Sequence, residues 1–210
     1  MRYCSLIGAD DPLTIYTGFY GRYSHITGRW ADVPLEAEDR GGYFKVTLGK
    51  GLIPTMGANG FLVRASVLRK ASLGPYLFDL DVVYQLANMG YNKFARVKTS
   101  ISHLYAFSLS QYIRKTYRRI RDFSFYHRRG MRSYPWLRMG RLRLARFVLF
   151  SLLGVPLVRD AIRGYRRRPD VAWFLHWPLC LLTLCAYGLW EVLSGFYLAG
   201  GIRGEREGYA

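Results

Sequence analysis

Twenty consecutive residues, 171–190, carry no formally charged side chain, and this constrains the chain more than any other feature. As a helix they reach about 30 Å, the thickness of a bilayer's hydrocarbon core. Trp173, Trp177, Trp190 and Tyr197 lie toward the ends of the run, where amphipathic rings favour the membrane interface. The competing arrangement is a buried core helix, but a 210-residue chain has little left over to wrap one. A C-terminal transmembrane helix is expected. A second apolar run, 147–158, has 12 residues, contains Gly154 and Pro156, and is too short to span comfortably. Arg141, Arg143 and Arg146 precede it, and Arg159, Arg163, Arg166, Arg167 and Arg168 follow. The positive-inside rule puts both flanks on the cytoplasmic side, so a re-entrant or interfacial segment fits better than a crossing. A tilted span with snorkelling arginines is the alternative, giving one or two membrane segments in all.

Charge is concentrated in the same half. The chain has 31 Lys and Arg against 14 Asp and Glu, a net charge of +17. Residues 112–168 hold 17 of those cations against Asp122 and Asp160 alone. A basic block inside a half-hydrophobic chain points to anionic lipid or phosphate groups, and it excludes a disordered, low-complexity protein. Cys4, Cys180 and Cys185 have no zinc-type spacing and imply no disulfide framework. The N-terminus reaches Asp10-Asp11-Pro12 too soon for a signal-peptide core, and those three residues read as a turn. A cytoplasmic face of the cell membrane is the expected location.

Leu109, Tyr112, Ile113, Thr116, Tyr117, Ile120 and Phe123 recur at helical spacing, with Arg114, Lys115, Arg118, Arg119 and Arg121 between them. This predicts an amphipathic basic helix lying at a membrane surface; a solvated basic face packed on a soluble core is the alternative. Its Lys115-Thr116-Tyr117-Arg118-Arg119 cluster suits a diphosphate, because planar guanidinium forks stabilise a leaving group that gains negative charge. Upstream, Phe78-Asp79-Leu80-Asp81 reads as a loop entering a short helix that ends at Gly90. A carboxylate there is held ionised by the helix N-terminus and can accept a proton from a hydroxyl, though Asp in that place also serves as a plain cap. Gly57, Asn59 and Gly60 suggest a tight turn before a strand-like run through Phe61, Leu62 and Val63 to Arg64. His103 follows a predicted strand and could ligate a divalent metal or the diphosphate.

The order and spacing of these pieces resemble the second half of an inverting family 2 glycosyltransferase of the membrane-bound, polyprenyl-phosphate or polysaccharide type. In that family a Glu-Asp pair precedes a helix with Gly eleven residues after the catalytic Asp. Asp79 and Gly90 keep that interval, Phe78 stands in place of the Glu, and Asp81 falls two short. The family's Gln-x-x-Arg-Trp motif is matched by Lys115-Thr116-Tyr117-Arg118-Arg119, with Lys115 for the Gln and Arg119 for the Trp. The resemblance covers roughly residues 50–200. It implies Asp79 as the base, Arg118 with Lys115 on the diphosphate, and residues 57–64 as the acceptor-side loop. It also implies a nucleotide-diphosphate sugar donor, a lipid or saccharide acceptor, and a divalent metal, Mg or Mn, held partly by His103. The family's opening strand–helix units and Asp-x-Asp motif are not found, so a C-terminal portion that is inactive alone is expected.

The expected fold class is therefore α/β, a partial nucleotide-sugar transferase (GT-A-like) fold with membrane-associated helices. Residues 1–108 would be the remnant of the catalytic domain, 109–146 the basic interfacial region, 147–200 the membrane segments and 201–210 a tail. The first rival is a non-enzymatic membrane-tethered adaptor whose basic segment holds anionic lipid or an acidic partner. Nucleic-acid binding through aromatic residues interleaved with arginine is the second, disfavoured by the neighbouring apolar helix and the absence of a recognition motif.

Overall fold

Helices from the two ends of the chain fold against one another. The structure, a computed structural model, describes residues 2–30, 36–51, 53–56, 60–73, 77–99, 108–135 and 140–199, with side chains through residue 193. The chain opens with α1 (Arg2–Ile7) and α2 (Pro12–Thr17). Asp10-Asp11-Pro12 is more than a turn. Asp11 caps α2, its Oδ1 accepting from the Leu13 N–H at 2.8 Å, and Pro12 supplies the first helical residue.

Four later helices complete this layer: α5 (Leu109–Arg128), α6 (Arg141–Leu153), α7 (Val155–Arg167) and α8 (His176–Ala199). A 3₁₀ turn, Val171–Leu175, leads into α8. Tyr3, Leu6, Ile7, Ile15, Tyr112 and Trp173 share one core with Leu179. Leu13 of α2 joins Phe147, Leu157 and Cys180 in another. Within the first core lies a polar chain. Tyr16 donates to Asp160 at 3.0 Å, accepts from Nε2 of His176 at 2.9 Å, and leaves Nδ1 to accept from Tyr3 at 2.8 Å. Each buried polar atom in that chain is thereby satisfied, which is the condition for keeping it in a core.

The second layer is a three-stranded antiparallel sheet in the order β1 (Glu36–Asp39), β2 (Tyr43–Thr47), β3 (Lys93–Val97). Ala37 pairs with Val46, and Val46 with Phe94. Helix α4 (Asp79–Asn88) lays Leu80, Val83 and Ala87 against Val46, Leu48, Phe19 and Ile53. Its opposite face, Val82 and Leu86, meets Ala71 beside α3 (Ala65–Leu68). Thus α4 is apolar on two sides and is held in a fixed orientation.

The mixed α/β class is as expected. Every strand pair among the described residues is antiparallel, so the sheet itself carries no parallel doubly wound signature. Two local expectations are corrected. Residues 61–64 form no strand but an irregular lead into α3, because no neighbouring edge pairs with them. The apolar stripe of α5 is divided. Tyr112, Thr116 and Ile120 are buried, with Tyr112 within 3.4 Å of Thr183 and Tyr117 packed edge-on to Trp190 of α8. Leu109, Ile113 and Tyr117 stay exposed on the same stripe, so protein covers one edge of it and leaves the other open.

Candidate functional site

The first turn of α4 presents two carboxylates with different surroundings. Asp81 is 3% exposed and fully engaged. Its Oδ1 accepts from the backbone N–H groups of Ser133 at 2.5 Å and Tyr134 at 2.9 Å, and its Oδ2 pairs with the Arg132 guanidinium at 2.8 Å. This carboxylate fastens the loop after α5 onto α4. Asp79, two residues earlier, is half-buried and makes no hydrogen bond or ion pair among the described residues. At the start of a helix its negative charge is favoured by the unpaired N–H groups. Asp79 is the carboxylate that remains open to a ligand.

Phe78 explains the local shape. Its ring meets Tyr126 near the end of α5 at 4.8 Å, and the Arg132 guanidinium lies 4.3 Å over it. A cation over an aromatic face is held without an acid beneath it. Phe78 therefore serves packing at this position. A cavity of about 220 Å³ opens beside this joint, lined by Leu73, Phe78, Asp81, Gln85 and Met131 among others; Asp79 is not part of its wall.

The basic cluster on α5 is divided. Arg118 is exposed and has no partner among the described residues, whereas Lys115 is half-buried and engaged. Arg119 pairs with Asp10 at 2.8 Å, and Arg22 takes the other oxygen of the same carboxylate at 2.6 Å. Burial opposes ionisation of Asp10, but the two guanidiniums prevail and hold its carboxyl below the usual range. Arg119 is therefore committed to fold contacts. Lys115 and Arg119 lie eleven and seven residues before Tyr126, close to three turns and two, and so share the face that meets Phe78. Arg118 lies about 12 Å along the axis from Tyr126 and about 80° around it. No direct contact joins Arg118 to Asp79.

Of the remaining expected site residues, Gly60 sits in a turn with φ of 73°, and Arg64 is exposed at the N-cap of α3. Gly57, Asn59 and His103 lie outside the described residues. Among the described residues no group of three or more His, Cys, Asp and Glu is placed to hold a metal, and Asp81 turns away toward Arg132. Arg132 and Tyr126, which shape the joint, escaped sequence reasoning because nothing in the basic and aromatic stretch around them sets these two apart.

The molecule is thus a mixed α/β protein in which, among the described residues, one helical segment, Val171–Leu193, is long and apolar enough to cross a membrane. Set against family models, curated proteins and solved structures, the chain matches none.

Proposed function

We propose that the chain belongs to a membrane-bound transferase that moves a sugar from a nucleotide-diphosphate donor to a lipid or saccharide hydroxyl at the cytoplasmic face. Asp79 carries this reading: an unpaired carboxylate on the first turn of a rigidly packed helix, eleven residues before Gly90. Its partner Asp81 is consumed by loop contacts, so the two acids separate into a base and a fastener. In the mechanism, Asp79 takes the proton from the acceptor oxygen as that oxygen displaces the diphosphate at the anomeric carbon. Arg118 and Lys115 receive the charge that grows on the leaving group. The partial GT-A-like fold belongs to the same proposal and rests on sequence spacing. No step is routed through a metal.

The test uses the whole chain in neutral-lipid nanodiscs. Labelled nucleoside diphosphates should bind, and Arg118→Ala should weaken that binding about tenfold or more, the loss of one charge-assisted contact. If radiolabelled nucleotide sugars are turned over, Asp79→Asn should abolish transfer and leave binding intact. Absence of diphosphate binding would end the reading, whether or not transfer is seen. Salt-sensitive attachment to anionic vesicles without nucleotide binding would favour the adaptor, to which the exposed arginines of α5 are equally suited.

A further inference from the structure

The turn between α6 and α7 shows an apolar surface that no other part of the described residues covers. The two helices are joined through Gly154 alone, whose φ of 74° reverses the path. Phe147 and Leu157 anchor the corner to Leu13 and Cys180, and the Trp177 Nε1–H donates to the Ser151 carbonyl at 3.0 Å. The outward side is different. Leu149, Leu152, Leu153 and Val155 are 53%, 64%, 59% and 76% exposed, and Phe174 beside Trp177 is 79% exposed. A contiguous group of this size marks an interaction surface rather than scattered exposure.

Charge identifies what it meets. Arg146 stands eight residues before the Gly154 corner and Arg159 five after it, about 12 and 8 Å of helix. One leaflet of hydrocarbon is about 15 Å deep. Arginines therefore ring the apolar tip at the height where phosphate headgroups lie. Along α7, Val158 and Ile162 alternate with Arg159, Arg163 and Arg166 around an open depression of about 600 Å³ that sets apolar and cationic side chains next to each other. Arg159 and Arg166 are exposed, and Arg159 meets Asp160 through its charge without a close ion pair.

The packing of α8 argues against a full crossing in this arrangement. Its second half lies against α5, with Trp190 donating to Ser124 at 2.7 Å and Tyr187 to Asp11 at 3.0 Å. Carrying that half into hydrocarbon would draw in α5 with Arg114 and Arg118 exposed, and a charged arginine is costly there.

We infer that the protein seats in a single leaflet of an anionic bilayer: the Gly154 corner and the 3₁₀ turn before α8, with Phe174, enter the hydrocarbon, and the arginines on both sides hold headgroup phosphates. This stands on packing and charge alone, independently of sugar transfer. The test uses the full chain with Cys185, the exposed thiol, changed to Ser. Wild type should bind vesicles containing phosphatidylglycerol more tightly than pure phosphatidylcholine. Leu152→Glu with Leu153→Glu should weaken binding at least tenfold, whereas Leu62→Glu, 94% exposed elsewhere, should not. Arg159→Gln and Arg166→Gln should each cost about fivefold on anionic vesicles. A fluorophore at Leu152→Cys should be quenched by nitroxide within the outer leaflet, and Arg141→Cys and Arg168→Cys should both react with an impermeant maleimide added outside. Labelling of only one of those two sites, reaction of position 152 from the vesicle lumen, or undiminished binding by the double Glu variant would overturn the inference. So would a dimer that the double Glu variant dissociates while wild type ignores vesicles.

Discussion

Asp81, on the first turn of α4, and Arg132, in the loop after α5, meet at 2.8 Å across 51 residues of chain. Both side chains are shielded, 5% and 11% exposed, and two backbone N–H groups complete the carboxylate's bonding. The pair fixes how the basic helix is joined to the sheet layer. It also removes one of two neighbouring acids from chemistry.

Separating those roles gives a direct measurement. Asp81→Asn leaves the Arg132 charge buried and unpaired, a loss of about 3–5 kcal/mol. Asp79→Asn, at a half-buried and unpartnered position, should fall within about 0.5 kcal/mol of wild type. Thermal unfolding of the two variants in nanodiscs should differ by more than about 6 °C. Equal melting temperatures would mean that Asp81 does not hold the loop.

Asp10 makes stability depend on acid. Its folded carboxyl sits below the unfolded value because Arg119 and Arg22 outweigh burial. The contribution is complete above the unfolded pKa of about 3.9 and is lost as pH falls through the lower folded value. Wild type should exceed Asp10→Asn by about 1 kcal/mol at pH 6 and low salt, and the gap should close toward pH 2. A gap that widens on acidification would reverse the sign and contradict the assignment.

Gly164 lies under the Trp173 indole, where an added Cβ would come within 2.3 Å of the ring. Trp173 is 2% exposed, so the ring has no room to retreat. Gly164→Ala should destabilise by about 1–3 kcal/mol and lower the melting temperature by several degrees. Retained stability would show that α7 can lift away from the 3₁₀ turn.

Much of the local structure was legible because it is written in short spacings. The i, i+3, i+4 recurrence from Leu109 to Phe123 marked α5, and Asp79 with Gly90 bracketed α4. The short run around Gly154, flanked by arginines, pointed to a segment that does not cross. The partners were not legible. Arg119 is one of five cations in an eight-residue stretch, and only the fold brings Asp10 to it across 109 residues. His176 read as part of an apolar run, and its bonds to Tyr3 and Tyr16 exist because the chain's two ends meet. The run after Gly60 looked strand-like, yet a strand needs an edge to pair with, which no local pattern supplies.

Periodicity and charge order, being properties of neighbours along the chain, determined where helices form, which segments are apolar and where cations gather. The division of labour between Asp79 and Asp81, the packing of Tyr112 and Tyr117 of α5 on α8, and the exposed corner at Gly154 were decided only on folding. Each depends on contacts between residues far apart in sequence, whose free energy arises when water is excluded from both partners together.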